Sequence, residues 1–159
     1  RPDISVVVPA FNEYESLPEL VERIDKSVQG MSRSCEIWII DDGSSDSTFE
    51  VVEQLSQKYD FVHGISFARN YGKAAALAAG FSEVTGEIVI TMDADLQDDP
   101  AEIPALVAKI ESGYDLVSGW KKDRKDSFIK NNTSKIFNFV TSKSIGLRLH
   151  DFNCGLKAY

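Results

Sequence analysis

In Ile88-Val-Ile-Thr-Met-Asp-Ala-Asp-Leu-Gln-Asp-Asp-Pro100, five β-forming residues run straight into a cluster of carboxylates. Five residues are too few for a typical helix, and a continuous apolar run bounded by turn formers fits a strand covered on both faces. Asp93 and Asp95 flank Ala94. Within the sheet such side chains would be buried without partners, so the strand has to end before them. Open parallel sheets bind ligands just beyond the carboxyl ends of their strands. Two carboxylates there, with the amide oxygen of Gln97 one step further, suit a hard divalent cation that keeps some waters. Asp-x-Asp is also a common turn tripeptide, so the rest of the chain has to decide.

The same design recurs. Ile4-Ser-Val-Val-Val-Pro9 is a β-branched run that proline limits, and Ala10-Phe-Asn-Glu13 follows as a loop. Ser16-Leu-Pro-Glu19 has capping-box spacing and opens a helix whose Leu17, Leu20, Val21, Ile24 and Val28 recur at helical spacing up to Gly30. Glu36-Ile-Trp-Ile-Ile40 is a second strand, ending in Asp41 and Asp42; Ser47 is expected to cap a helix with Val51, Val52 and Leu55 inward. A third strand around Val62 to Phe67 leads through Ala68-Arg-Asn-Tyr-Gly-Lys73 into an alanine-rich helix with little side-chain bulk, fit for close packing on a sheet. After the opening stretch, Asp99-Pro-Ala-Glu102 caps a helix carrying Ile103, Leu106, Val107 and Ile110, and Tyr114-Asp-Leu-Val-Ser118 is a fifth strand. A further helix is expected over 127–142. Alternating units of this size predict an α/β fold: a Rossmann-like, mostly parallel sheet with helices on both faces.

Composition narrows the partners. With 43% hydrophobic and 26% charged residues in 159, one globular domain with a proper core is expected. No apolar run reaches the roughly 20 residues that cross a bilayer. Residues 1–119 carry 8 basic and 22 acidic side chains, net −14, whereas 120–150 carry 8 basic and 2 acidic, net +6. The acidic part argues against nucleic acid. The basic part, with Lys122, Arg124, Lys130 and Lys135, suits phosphate or an anionic membrane surface, although a solvated charged face is the plainer reading for most of its lysines. Cys35 and Cys154 make neither a metal spacing nor a disulfide framework, so buried reduced thiols in a cytosolic setting are expected, and isolated His63 reads as structural. The chain opens at Arg1 without a leader pattern, and Asn153-Cys-Gly-Leu-Lys-Ala-Tyr159 reads as an element being entered, so the expectation is a piece of a longer protein, truncated at the C-terminus.

Three strand ends thus present Asn12 and Glu13, Asp41 and Asp42, and Asp93 and Asp95 on one sheet edge. Carboxylates there can accept from ribose hydroxyls and base N–H groups, but a diphosphate needs a cation to approach them. Neither a Gly-x-Gly-x-x-Gly nor a Gly-x-x-x-x-Gly-Lys-Ser/Thr pattern occurs, which argues against dinucleotide enzymes and P-loop NTPases. Val6-Val-Val-Pro-Ala-Phe-Asn-Glu13, Asp41-Asp-Gly-Ser44, Arg69-Asn-Tyr-Gly-Lys73, Asp93-Ala-Asp95 and Asp151-Phe-Asn-Cys-Gly155, in this order over essentially the whole chain, resemble the inverting family-two nucleotide-sugar glycosyltransferases, with their glycosyltransferase A-type fold. Asp93-Ala-Asp-Leu-Gln-Asp-Asp-Pro100 looks most like the branch that makes polyprenyl-phosphate sugars, the dolichyl-phosphate and undecaprenyl-phosphate transferases.

The resemblance implies that Pro9, Ala10, Glu13 and Asp42, with Asp93, hold a UDP- or GDP-sugar. It implies that Asp93, Asp95 and Gln97 gather Mg²⁺ or Mn²⁺ against the diphosphate, Asp95 being catalytic in that sense. Arg69 and Lys73 remain open between ligand contact and a structural join from loop to helix. A hydroxyl acceptor needs a general base, and Asp151 matches the position from which many members supply one. A lipid monophosphate is already anionic and needs a cationic cradle instead, for which Arg124, with Lys122 and Ser134, lies where the polyprenyl-phosphate branch places such contacts. The expected organisation is a donor-binding half, 1–119, and the start of an acceptor-binding part, 120–159, working at the cytoplasmic face of a membrane, with oligomerisation possible. The alternatives are the same donor chemistry on a saccharide hydroxyl in surface-glycan assembly, and a truncated domain that binds nucleotide sugar without transfer.

Overall fold

The structure, a computed structural model, describes residues 1–119 and 154–159. In chain order it contains β1 (Ile4–Ala10), α1 (Leu17–Gln29), β2 (Cys35–Asp41), α2 (Thr48–Lys58), β3 (Val62–Ser66), α3 (Lys73–Glu83), β4 (Ile88–Thr91), α4 (Ile103–Glu111, entered through a 3₁₀ turn at Pro100–Glu102), β5 (Val117–Ser118) and β6 (Lys157–Ala158). They form one six-stranded sheet in the order β3-β2-β1-β4-β6-β5. The strands β3, β2, β1 and β4 are parallel, and β6 runs antiparallel between β4 and β5. The expected mostly parallel α/β sheet is therefore present, and the terminal residues read as an element being entered are its antiparallel strand.

β1 lies in the middle and is buried almost throughout. Alternation divides its side chains between two layers. Ile4, Val6, Val8 and Ala10 join the core beneath α1, α2 and α4, whereas Val7 joins Ile40 and Ala76 beneath α3. α1 buries Leu17, Leu20, Val21, Ile24 and Val28, the stripe its spacing predicts; each such side chain contributes about 1.5–3 kcal/mol. On the other face α3 comes close because it is small. A β-carbon at Gly80 would lie 2.3 Å from Cγ1 of Val7, so the helix axis can sit there only with glycine.

Several local expectations are corrected. Pro9 does not end β1; it pairs in register with Ile40 and the strand continues to Ala10. The carbonyl of Val7 accepts from Met92 and that of Ala10 from Asp42, so position 9 aims its missing N–H toward β4, which has already ended at Thr91. The capping box of α1 does not form: the Ser16 hydroxyl turns back to the Glu13 carbonyl (3.1 Å) and carboxylate (2.9 Å), and Glu19 pairs with Arg23. At α2 the Ser47 side chain makes no cap bond; one residue earlier Asp46 accepts from the Thr48 N–H at 2.9 Å. Val52 and Leu55 are buried as expected, whereas Val51 is half-buried. The fifth strand shrinks to two residues because β6 offers partners only to Val117 and Ser118, leaving Tyr114 and Leu116 exposed. Asp99 does cap its helix, accepting from Ala101 at 3.0 Å. His63 lies within β3 with its ring 4.7 Å from that of Trp38, a packing role. Cys35, half-buried, and Cys154, buried, form no disulfide with each other, and burial pushes the Cys35 thiol up to about 11. The helix expected over 127–142 and the basic segment fall outside the described residues.

At the edge opposite the carboxylates, one buried acid ties the sheet together. Oε1 of Glu36 accepts from the Ser5 hydroxyl (2.6 Å) and the Thr85 N–H (2.6 Å), and Ser5 in turn accepts from the Gly86 N–H at 2.8 Å. Burial raises the Glu36 carboxyl, but the bonds from Ser5 and Thr85 outweigh it and hold the group below its ordinary value of 4.5. A depressed carboxyl contributes stability that is present above that value and is lost as pH falls through the lower folded one. Glu36→Ala, which strands these donors, should destabilise the fold by about 2–3 kcal/mol in urea titrations at neutral pH and flatten the loss of stability seen below about pH 4.5. An unchanged acid limb in the variant would show that Glu36 is not its source.

Candidate active site

The parallel strands all end at one edge, and the loops leaving them are braced to one another. After β1, Asn12 takes a left-handed conformation (φ 57°). Its N–H donates to Ser44 Oγ (2.9 Å), and its side-chain oxygen accepts from the Ser45 N–H (2.9 Å). The Glu13 N–H donates to Thr48 Oγ1 at 2.8 Å. Asp41, at the end of β2, accepts from the Ser44 N–H (3.0 Å) and from the Ser66 hydroxyl at the end of β3 (2.8 Å). Asn12 and Asp41 thus hold loops in place.

Asp42 does more. Both of its oxygens accept from the loop before α3, from the N–H groups of Tyr71 (2.8 Å) and Gly72 (2.9 Å). Beside it Gly43 (φ 69°) lies flat against the same loop, where a β-carbon would come within 2.3 Å of the Arg69 backbone. Asp42 therefore fixes where α3 begins and where Lys73, its first residue, stands.

Between these loops opens a cleft of about 420 Å³. The end of β1 supplies Pro9, Ala10, Phe11 and Glu13, and β2 supplies Asp42. The α3 approach contributes Asn70, Gly72 and Lys73, and the end of β4 contributes Asp93, Ala94 and Asp95. All five residues expected to hold the nucleotide come together here, with Asp95. Gln97 does not line the cleft: it is exposed, and its N–H donates to Asp95 Oδ1 at 3.0 Å across Leu96, a non-glycine residue at φ 59°. Arg69 is exposed outside the cleft lining, its guanidinium 5.0 Å from the Tyr71 ring, whereas Lys73 lines it. Asp151, Lys122, Arg124 and Ser134 lie outside the described residues.

Four carboxylates and one ammonium make the lining strongly negative. Lys73 has already answered this, forming an ion pair with Asp93 Oδ1. On its other side the Asp93 carboxylate rests on Gly155, where a β-carbon would fall 2.3 Å from Oδ2. The Gly155 carbonyl accepts from the buried hydroxyl of Thr91 at 2.9 Å. The carboxylate is thus clamped between the start of α3 and the segment leading into β6. Among the described residues no three His, Cys, Asp or Glu side chains converge on one point. Two carboxylates, one already drawing a cation and the other exposed, fit a hard ion that completes its shell with substrate oxygens and water.

Phe11, Asn70, Thr91 and Gly155 were not singled out from the sequence. Phe11, Asn70 and Gly155 do stand inside motifs that carry the resemblance, and that is the available signal.

Residues 5–159 match the family model described as glycosyl transferase family 2. The chain belongs to that family. It is 46% identical over 157 residues to the undecaprenyl-phosphate 4-deoxy-4-formamido-L-arabinose transferase of Salmonella choleraesuis (strain SC-B67), covering 98% of this chain and 48% of that protein. The protein of that name from Salmonella paratyphi B is 45% identical over the same length. The chain spans about half the length of the curated relatives it matches. Among solved structures, glucosyl-3-phosphoglycerate synthase from Mycobacterium tuberculosis with Mn²⁺, uridine diphosphate and phosphoglyceric acid superposes with a TM-score of 0.75 at 22% identity, covering 99% of this chain and 55% of that one. A mannosyltransferase from Pyrobaculum calidifontis with GDP-Man and Mn²⁺ gives 0.69 at 23% identity, covering 100% and 44%. These likenesses bear out the fold expected of the glycosyltransferase A type.

In this family-two domain, Gly155→Ala should push the Asp93 carboxylate off its seat while leaving the sheet intact. The expected outcome is a melting temperature within about 2–4 °C of wild type, since one displaced contact is of the order of 1 kcal/mol, with Mn²⁺ affinity lowered at least about tenfold, the change expected where the Asp93 carboxylate holds the ion. Calorimetry with Mn²⁺ and a nucleoside diphosphate checks this. Undiminished affinity would show that the clamp does not set the carboxylate.

Proposed function

We propose that this domain binds a nucleoside diphosphate sugar at the β1–β2–β4 edge and transfers the sugar, with inversion, to a polyprenyl phosphate. The observation that carries the reading is the convergence of Glu13, Asp42, Asp93 and Asp95 with Lys73 in one open cleft. The curated relatives, named for transfer to undecaprenyl phosphate, supply the acceptor class.

The division of labour follows from chemistry. Pro9, Ala10 and the exposed ring of Phe11 form the apolar side, against which a base can lie flat. Glu13 and Asp42 keep lone pairs for ribose hydroxyls or base N–H groups. Asp93 and Asp95 would hold Mg²⁺ or Mn²⁺, which when bound would supply Lewis-acid neutralisation of the leaving diphosphate. Gln97 supports this indirectly, because its N–H orients Asp95. Lys73, at the positive end of an eleven-residue helix, adds a second cation on the diphosphate side.

On the acceptor side, an anionic phosphate oxygen attacks without losing a proton, so a cationic cradle from Arg124, Lys122 and Ser134 serves better than a base. The excess of positive charge in 120–150 favours this over a saccharide hydroxyl, for which Asp151 would have to act as base. The reaction belongs at the cytoplasmic face of a membrane, where a polyprenyl phosphate presents its head group. Among the described residues no helix is long and apolar enough to cross that membrane.

Full-length protein incubated with polyprenyl phosphate and a panel of labelled UDP- and GDP-sugars should yield one mild-acid-labile glycolipid, and only with Mn²⁺ or Mg²⁺ present. Asp95→Asn should lower its formation by at least about 100-fold, consistent with the loss of several kcal/mol of transition-state stabilisation. Asp151→Asn should retain a substantial part of it. Loss of product on Asp151→Asn with intact nucleotide binding would point to a hydroxyl acceptor, and nucleotide binding without product from any donor would point to a binding domain.

A further inference from the structure

We propose that Lys73 gates the cation site: in the donor-free domain its ammonium holds Asp93, and the arriving diphosphate draws Lys73 away and frees the carboxylate for the divalent ion. The inference rests on the donor-site reading above and adds an order to it, nucleotide first or together with the ion, never the ion alone at full affinity.

Three observations carry it. Lys73 Nζ and Asp93 Oδ1 are in direct contact within the cleft, so an ion at that oxygen and the ammonium would compete for the same place. The two partners differ in freedom. Asp93 is held from behind by Gly155, whose carbonyl is fixed by Thr91, and its side chain is 27% exposed. Lys73 has its backbone anchored through the Asp42–Gly72 bond, but its four-carbon stem is 50% exposed and free to swing about that anchor. Finally, the other lining carboxylates, Glu13, Asp42 and Asp95, form no ion pair with a described residue. The lysine has settled on the one acid that is both clamped and central to the ion site.

A half-exposed ion pair is weak, so a diphosphate carrying several negative charges outcompetes one carboxylate for the lysine. Once the ammonium has moved, the repulsion it exerted on an incoming dication becomes an attraction on the phosphate side. Nucleotide and ion are thereby coupled through one side chain, and the coupling must be reciprocal.

The test measures Mn²⁺ binding to full-length protein by the electron paramagnetic resonance signal of the free ion, with and without UDP or GDP. Wild type should bind Mn²⁺ weakly alone and much more tightly with the nucleotide. Lys73→Met should bind Mn²⁺ alone about two- to fivefold more tightly than wild type, the factor expected for removing an exposed competing charge, and should gain less from the nucleotide. Lys73→Arg, which keeps the charge, should behave as wild type does, and Lys73→Gln, polar and uncharged, should repeat the Met result should the Met variant fold poorly. Equal or weaker binding of Mn²⁺ alone by the uncharged variants would overturn the gate and leave the donor site standing. Absence of Mn²⁺ binding by wild type with either nucleotide would overturn the donor reading and the gate with it.

Discussion

A parallel sheet buried on both faces admits almost no charge along its strands, and this restriction governs the molecule. β1 is flanked on both sides and covered above and below, so, apart from the hydrogen-bonded Ser5, its polar chemistry waits until the residues after Ala10. β2, apart from the hydrogen-bonded Glu36 at its start, and β4 obey the same restriction up to Asp41 and Thr91. Because the strands are parallel and in register, their first tolerable positions for acids fall at one edge. The cleft follows from where the strands stop.

That edge would be mobile if its loops were separate, since each is only a few residues long and strongly charged. Hydrogen bonds between loops remove the freedom. Asn12 and Glu13 are tied to Ser44, Ser45 and Thr48, Asp41 to Ser66, and Asp42 to Tyr71 and Gly72. Each such bond contributes about 0.5–1.5 kcal/mol, more where a carboxylate is the acceptor. Acidic side chains therefore do two kinds of work at this edge. Asp41 is consumed as a brace, Asp42 braces while lining the cleft, and Asp93 and Asp95 line it at the end of β4.

The sequence shows the scaffold well because the scaffold is periodic. Continuous runs mark β1, β2 and β4, and Leu17, Leu20, Val21, Ile24 and Val28 mark the buried face of α1. What it hides is set by distance along the chain. Whether Ser16 caps α1 depends on a competing acceptor at Glu13, and whether Asp41 is a brace depends on Ser66, 25 positions away. β6 is too short to carry a periodic signal, and its antiparallel direction is decided by partners far upstream. The site was legible as a set of strand ends; Gly155 as the seat of Asp93 was not, because no local pattern joins residues of two distant motifs.

The Thr91–Gly155 bond spans 64 positions and closes the sheet two residues before the first carboxylate, Asp93. It joins the end of β4, which delivers Asp93, to the segment that enters β6. Glycine is required at 155 because the acid occupies the space a side chain would take, and the acid is held because the glycine carbonyl is already bound. Any movement of the chain immediately before β6 must therefore be felt at Asp93, and any displacement of the Asp93 carboxylate must be felt at Gly155 in return.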